Sequence, residues 1–453
     1  MDLLPLLLTH VHLVDHRGAQ DVDCVAIQDG VIQSVGACPQ DTSGYRVLDL
    51  QGKTVAPGLI DCHVHLSLTP SGHHIQPTAQ EEQALWRHHL AAYLASGVTT
   101  VLDTGILPQH ARSMNQLAAT GPSPSLYYLG PLVSPPGGYV HAVLPQYPAA
   151  HTPQELHQQI DAFADLNPVG IKITVESGML VEVWDLYPQE IQAELVTLDH
   201  RLMAHAISPA EATLALDLGA AALVHPVSKP TPELLERLAA AQTPVISTIS
   251  VFDTLLWGQE PERFEDPDLA MLVPEAELSA AQNPEWRKQS AQLIAQGMLP
   301  DSRPWVQRLA ARAMDWKRPI AGQVQTALDS VAVLNQAGVP IVMGSDSGNW
   351  PIFLYEFHGV TSQAEVQLLA RAGLTPLQVL TASTLSGAAL IGIDDQVGTL
   401  AEGYRADLLV LSGDPLQDVR AWGEIEWVVS GGVVASPAEW MARVPVGTLA
   451  RDD

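Results

Sequence analysis

The stretch that decides the fold is Thr54-Val55-Ala56-Pro57-Gly58-Leu59-Ile60-Asp61-Cys62-His63-Val64-His65. It is an apolar run, typical of a buried strand, that ends in polar side chains. Because strand side chains alternate between two faces, His63 and His65 share one face and can bind one ion together. The pair alone is weak support, since His10-Val11-His12 repeats it near the start of the chain, where we expect a surface position.

Alternating strand and helix patterns follow this stretch. Helix starts carry local signals, as in Ser208-Pro209-Ala210-Glu211 and Ser362-Gln363-Ala364-Glu365, where a serine N-cap precedes a glutamate by three positions. The apolar runs between the helices are the candidate strands Val55 to Leu66, Val98 to Asp103, Leu126 to Leu132, Val169 to Val175, Leu202 to Ala206, Ala222 to Pro226, Pro244 to Ile249 and Pro340 to Asp346. Eight βα units predict a (β/α)8 TIM barrel, with a flat doubly wound sheet as the alternative because counting does not show closure.

Both ends of the chain carry β patterns. Short apolar runs with a turn at Asp29-Gly30 fill the first fifty or so residues, and strand patterns return after Ala389. We therefore predict a small β-sandwich domain from residues 1–54 and 391–453, beside a barrel of residues 55–390. A long insertion at about 252–320 joins the seventh and eighth strands, and solvated helices are a better interpretation of it than a lid.

The charge balance limits the partners. The chain of 453 residues has 22 Lys and Arg against 50 Asp and Glu, a net charge of −28. Nucleic acid and anionic membrane surfaces would repel it, and no apolar run is long enough to span a bilayer. We expect a small-molecule substrate and a cytoplasmic location.

Cys24, Cys38 and Cys62 are an odd, scattered set that does not indicate a disulfide framework and favours a reducing compartment.

Further polar side chains stand at predicted strand ends. His205 ends the fifth strand, His225 the sixth and Asp346 the eighth, where barrel enzymes build their sites. Neutral imidazoles clustered at one rim would leave lone pairs unpaired at a cost unless a cation occupies the centre. This donor set suits Zn²⁺, Mn²⁺, Co²⁺ or Fe²⁺.

Lys172 lies inside the apolar run Val169 to Val175 and is one of only five lysines. Burial lowers the pKa of a lysine and favours the neutral amine. A neutral amine can take up CO₂, and the carbamate can bridge two ions as a carboxylate would. The alternative is a structural lysine whose ammonium group reaches a carboxylate at the barrel mouth.

The stretch Thr54 to His65, the strand-end His205 and His225, Gly344-Ser345-Asp346 and Gly398-Thr399-Leu400…Gly403…Ala406-Asp407-Leu408 resemble the amidohydrolase superfamily over nearly the whole chain. Lys172 in its run and the string Gly344 to Gly348 resemble the imidazolonepropionase-like branch that contains metal-dependent Xaa-Pro dipeptidases (prolidases). The resemblance implies two divalent ions, with zinc preferred. The implied ligands are His63, His65 and Asp346 for one ion, His205 and His225 for the other, and carboxylated Lys172 as the bridge. A homo-oligomer is compatible with this resemblance.

The implied activity is hydrolysis of an amide C–N bond, as in a dipeptide or an N-acyl amino acid. In such a dinuclear centre the ions activate water to hydroxide, and Asp346 is the catalytic group that moves its proton to the leaving amine. The relatives have Gly-Gly-His in the third-strand loop, whereas here Gly137-Gly138 is followed by Tyr139, with His141 two positions on. The candidate substrate contacts are Tyr139, His141 and His358. His88 and His89 follow a helix pattern and are predicted at the surface.

Three other functions stay open. Lactone or phosphotriester hydrolysis could use the same ligands. A mononuclear deaminase has no use for Lys172 and would be expected to have a glutamate close after the later histidines, where Ala206-Ile207-Ser208 and Pro226-Val227-Ser228 stand instead. A non-catalytic scaffold is least favoured, because all six ligand positions are occupied.

Overall fold

Strands from both ends of the chain form one mixed sheet. The structure is a computed structural model that describes residues 4–69, 79–138, 140, 144, 146–177, 184–285, 287, 317–349 and 354–444. The strands of this sheet are β1 (Leu6–Asp15), β2 (Gly18–Gln28), β3 (Val31–Gly36), β4 (Arg46–Asp49) and β5 (Thr54–Pro57), followed late in the chain by β14 (Leu408–Leu411), β15 (Ile425–Ser430) and β16 (Val433–Ala435). Their order is β16-β15-β14-β5-β1-β2-β3, with β4 paired to β1, so the predicted small domain is one continuous hydrogen-bonded sheet.

The β2–β3 hairpin turns at the predicted dipeptide. Asp29 and Gly30 both have positive φ, 51° and 75°. Two consecutive residues in this region suit the right-handed twist of a hairpin, which explains the Asp-Gly signal.

Eight parallel strands form the barrel and confirm the predicted fold class. They are β6 (Leu59–Val64), β7 (Val98–Asp103), β8 (Ser125–Val133), β9 (Gly170–Thr174), β10 (Leu202–His205), β11 (Ala220–Leu223), β12 (Val245–Ile246) and β13 (Ile341–Val342). The sheet closes because Cys62 N donates to Met343 O and His65 N to Ser347 O, at 3.0 and 2.9 Å. The flat doubly wound alternative is therefore wrong.

The predicted first strand, Val55 to Leu66, is two strands in two sheets. Thr54–Pro57 pairs with β1 and β14, whereas Leu59–Val64 pairs with β7 in the barrel. Gly58 is the crossover between them, and its N–H donates to Asp407 O at 2.9 Å.

Helices surround the barrel and plug one end of it. They are α1 (Ala79–Ala95), α2 (Pro108–Ala118), α3 (Pro153–Asp161), α4 (Gln189–Thr197), α5 (Pro209–Asp217), α6 (Pro232–Ala240), α7 (Ser250–Trp257), α8 (Pro267–Leu272), α9 (Glu275–Gln282), α10 (Lys317–Gln336), α11 (Val360–Arg371), α12 (Pro376–Ser383), α13 (Leu385–Ile391) and α14 (Pro437–Ala442). Inside the barrel, side chains such as Ile60, Cys62 and Leu102 pack with Leu390 and Ile391 of α13. The interior is thus a packed core, and the site is confined to the opposite rim.

Of the two helix starts predicted from capping signals, one is confirmed. Ser208 forms a full capping box with Glu211 at the start of α5. Ser362 does not cap α11, which begins at Val360; its hydroxyl donates instead to Asp61 Oδ2 at 2.6 Å. The competing buried carboxylate explains this error.

The insertion between β12 and β13 has a core of its own in its described part. Trp257, Phe264 and Leu269 pack against Tyr355 and Phe357 from the segment after β13. The interpretation as solvated helices is therefore wrong for α7 to α9.

His88 and His89 attach this insertion to α1, so their predicted surface position is also wrong. His89 is buried with its Nε2 3.1 Å from Glu277 Oε1, and His88 donates to Leu272 O at 3.0 Å. A single helix pattern does not reveal which face a later insertion covers.

A disulfide joins Cys24 and Cys38, contrary to the expectation from the cysteine pattern. The β2–β3 pairing brings the two cysteines together, because Cys24 lies opposite Gly36, two residues before Cys38. The Cα atoms of Cys24 and Cys38 are 5.0 Å apart. Cys62 is a free, buried cysteine. No helix among the described residues is long and apolar enough to cross a membrane, and the cytoplasmic location stays a prediction.

Gly58→Ala tests the crossover. An added Cβ would lie 2.1 Å from Thr99 Oγ1 and 2.8 Å from Thr99 Cβ, so we expect a loss of about 1–3 kcal/mol in the free energy of unfolding. Chemical denaturation measures it, with Gly44→Ala as the control because no atom lies within 4 Å of a Cβ there. Equal stability of the two variants would contradict the predicted clash.

Candidate metal centre

All six predicted ligands line one cavity at the rim where the barrel strands end. His63 and His65 come from the end of β6, Lys172 from β9, His205 from β10, and His225 and Asp346 from the segments after β11 and β13. The other lining residues are Gly105, Leu132, Val140, Leu144, Thr174 and Asn349. The fold therefore gathers residues that are up to 283 positions apart in the chain, from His63 to Asp346.

Asp346 is the point on which the first ligands converge. Its Oδ1 lies 3.2 Å from His63 Nε2 and 2.9 Å from His65 Nε2. Neither contact satisfies Oδ1 as a hydrogen bond, and no described donor does so. Asn349 Nδ2 donates to the other oxygen, Oδ2, at 3.0 Å. A buried carboxylate oxygen that two imidazole nitrogens approach without bonding it fits a shared cation.

The backbone and the charge at Asp346 are also unusual. Its φ is 60°, a left-handed conformation that aspartate tolerates better than most residues. Burial alone would raise the pKa of this carboxyl group, but His63 and His65 hold it well below its usual range. This pKa is low only while positive charge faces Oδ1, either on the rings or on an ion between them.

Hydrogen bonds to residues behind the cavity engage one ring nitrogen each of His63 and His225. His63 Nδ1 donates to Val224 O at 2.9 Å, and His225 Nδ1 lies 2.8 Å from Thr248 Oγ1. Burial lowers the pKa of His63 to about 4 and that of His225 well below its usual value, so both rings are neutral. Nε2 is then the nitrogen available to an ion in each ring. One ligand atom from each of His63, His225 and Asp346 lies within 4.8 Å of the other two.

Lys172 sits between these groups. Its Nζ is 3.5 Å from both His63 Nε2 and Thr104 Oγ1. Burial lowers the pKa of this amine to about 8, against the opposing charges of Asp346 and Asp103. A lysine with this pKa is roughly one-tenth neutral at pH 7, far more than an exposed one.

Glu176 is a residue of the site that sequence reasoning missed. It is buried, and its Oε2 accepts from His205 Nε2 at 3.1 Å. This bond places the proton on Nε2, so Nδ1 carries the lone pair that can face an ion. Glu176 follows directly after the apolar run of β9, and the rule that pointed to His205 would have found it.

The three predicted substrate contacts have different outcomes. Tyr139 and His141 lie outside the described residues. His358 is buried, with Nδ1 2.9 Å from Tyr93 Oη and Nε2 donating to Leu68 O at 3.0 Å. Its ring stacks on His89 at a centroid distance of 4.0 Å and is not part of the cavity wall. The structure thus gives His358 a packing role behind the site.

Thr248→Val tests the outer support of His225. Loss of the hydroxyl leaves the buried Nδ1 without its partner, so we expect zinc affinity to fall about 10- to 100-fold with little change in shape. Competition against a chelator measures this affinity. Thr254→Val is the control, because Thr254 is also buried but donates only to Val251 O. Equal zinc affinity in both variants would show that Thr248 does not support the candidate metal centre.

Parts of the sequence are similar to curated enzymes. A curated dihydroorotase from Halalkalibacterium halodurans is 27% identical over 202 residues, 44% of this chain and 41% of its own length. An imidazolonepropionase from Rubrobacter xylanophilus is 29% identical over 114 residues, 25% of each chain. The chain thus spans less than half the length of these curated relatives.

A solved structure of a Xaa-Pro dipeptidase with bound methionine in the active site shares the fold. It superposes with a TM-score of 0.70 at 20% identity, over 95% of this chain and 100% of that one. The model of the amidohydrolase family matches residues 54–215 and 294–435, more than half of the chain. The protein therefore belongs to the amidohydrolase family.

Proposed function

We propose that this protein is a metal-dependent hydrolase that cleaves an amide C–N bond of a small molecule with the help of two divalent ions, preferably zinc. The observation that carries the proposal is the convergence of six ligands on one cavity, with neutral imidazoles around an amine of lowered pKa. Membership of the amidohydrolase family and the likeness to the dihydroorotase support it.

The residues divide between two ions. His63, His65 and Asp346 would hold one, and His205 and His225 the other. Lys172 would join them as a carbamate: its neutral Nζ forms a bond to the carbon of CO₂ and loses a proton, which leaves a carboxylate-like group. Bound ions would polarise the scissile carbonyl and lower the pKa of water.

Asp346 supplies the proton transfers. As an ionised carboxylate at the cavity it accepts a proton from the attacking water and returns it to the leaving nitrogen as the C–N bond breaks. Asn349 donates to Oδ2 and so orients the carboxylate, with Oδ1 facing His63 and His65. Glu176 and Thr248 keep the ligand rings oriented while the proton moves.

The first experiment is metal content per chain by elemental analysis, with native intact mass under bicarbonate. Two ions and the added mass of one CO₂, lost in the Lys172→Ala variant, are expected. One ion without the added mass would favour the deaminase alternative. No ion after reconstitution would favour the scaffold.

Asp346→Asn should lower kcat by at least about 10²-fold, because the amide cannot accept the proton. Circular dichroism should show an unchanged fold. Asp23→Asn, at an exposed position of β2, is the matched control and should keep full activity. Near-complete activity in the purified Asp346→Asn variant would remove Asp346 from the mechanism.

Lys172→Ala should lose both bound metal and activity. Short-chain carboxylates such as formate or propionate should restore part of each, since they replace the carbamate in the space the side chain leaves. Metal content and kcat are measured with and without the added acid. Full activity without rescue would make Lys172 a structural residue.

A further inference from the structure

One side of the cavity is an apolar wall. Leu132, Val140 and Leu144 form this wall, and each is less than 7% exposed. The side chains that pack with it are Tyr147, Leu68, Leu107 and Trp184. They come from the segments that follow four successive strands, β6 to β9. The wall is therefore buried among other apolar side chains.

Hydrogen bonds fix the backbone of the wall. Leu144 N donates to Val140 O at 2.7 Å, and Tyr147 N donates to Leu144 O at 3.0 Å. The hydroxyl of Tyr147 donates to Gly105 O, beside the cavity. Apolar side chains held in this way form a preformed surface for an apolar group of a ligand.

The other notable property of the rim is its lack of cationic side chains. Among the described lining residues Lys172 is the only Lys or Arg, and it belongs to the metal centre. The sequence contains no Lys or Arg in the segments after six of the eight strands, which are 65–78, 104–107, 134–152, 175–188, 206–208 and 343–359. Segment 175–188 instead carries three carboxylates, Glu176, Glu182 and Asp185.

After the two remaining strands, the described cations do not line the cavity, and Lys288, Arg303, Arg308 and Arg312 of the insertion lie outside the described residues. After β12, Arg263 donates to Asp253 and Glu260, each at 2.7 Å. After β11, Lys229 is exposed. Recognition of a carboxylate in a water-excluded site usually uses an arginine fork or a lysine, and an unpaired carboxylate there is costly.

We propose that the substrate is a neutral amide that places an apolar group on the wall of Leu132, Val140 and Leu144 and carries no carboxylate close to the scissile bond. This inference rests on the proposed function and narrows it. Dipeptides and N-acyl amino acids, which the resemblance implied, both carry such a carboxylate and are then poor substrates.

A matched pair of compounds tests the charge preference. Hexananilide and 2-(hexanoylamino)benzoate have the same acyl chain and the same scissile bond, and the second adds one carboxylate next to that bond. We expect the metal-loaded protein to hydrolyse the anilide with at least about tenfold higher kcat/KM. Equal or faster hydrolysis of the benzoate would overturn the inference and leave the proposed hydrolase intact.

Binding separates the two proposals if neither compound is hydrolysed. Titration calorimetry of the metal-loaded protein then compares their affinities directly. Tighter binding of the anilide would support the inferred class of ligand. The lack of hydrolysis would then contradict only the proposed hydrolase activity on such amides. Tighter binding of the benzoate, or binding of neither compound, would contradict the inference.

Variants of the wall test the apolar contact. The wild-type protein should prefer hexananilide over acetanilide in kcat/KM or in affinity, and Leu144→Ala should reduce that preference about tenfold. Leu144→Arg should shift the preference towards the benzoate. Val333→Ala, at an exposed position of α10, is the control. If the Leu144 variants are unstable, the comparison of hexananilide with acetanilide in the wild-type protein still tests the inference. The absence of a preference for hexananilide would contradict it.

Discussion

The candidate metal centre depends on one buried carboxylate that is not among its six candidate ligands. Asp61 accepts from Ser345 N at 3.0 Å, Ser345 Oγ at 2.6 Å, Ser362 Oγ at 2.6 Å and His63 N at 3.2 Å. Burial raises the pKa of this group to about 6, so the charged form needs these donors. The bonds join the first barrel strand to the segment after the last one. They thereby set His63 beside Asp346 at the place where the barrel closes.

Further buried polar groups extend this support around the rim. Glu365 of α11 accepts from the N–H groups of Ile249 and Ser250, at 3.0 and 2.7 Å. Ser250 Oγ in turn donates to Ser345 O at 2.8 Å, and Thr248 N to Gly344 O at 3.0 Å. Because partial loss of such a network leaves buried groups unsatisfied, the arrangement is rigid. That rigidity maintains the left-handed backbone at Thr248 and Asp346.

Strand-end chemistry made much of this site predictable. His205 and Asp346 could be found because the end of a parallel strand is a fixed place in a barrel, and periodicity locates strand ends. The partners of these residues were harder to find. The end of β9 locates Glu176, but its bond to His205 depends on the pairing of β9 with β10, and the role of Ser362 depends on the position of Asp61 across the closed barrel. Such contacts join distant segments, and local propensity contains no information about them.

The surface positions predicted for His88 and His89 failed for the same reason. A helix pattern identifies an apolar face, but it does not say that an insertion some 180 residues later will cover another face. The disulfide between Cys24 and Cys38 is a shorter-range example, since it follows from the register of one hairpin. The number and spacing of the cysteines, on which the expectation of a reducing compartment rested, do not reveal that register.

The candidate ligands and the apolar wall come from different strands of this barrel. The candidate ligands come from β6, β9, β10 and the segments after β11 and β13, whereas the apolar wall comes from the end of β8 and the segment after it. Strand β8 supplies none of the six candidate ligands, and so its end can change without moving them. A change of side chain at Leu132 or in the following segment would alter the wall while Asp61 still holds His63 and Asp346 together. The candidate ligands alone therefore leave the substrate undetermined, and the wall and its charge are the features that would select it.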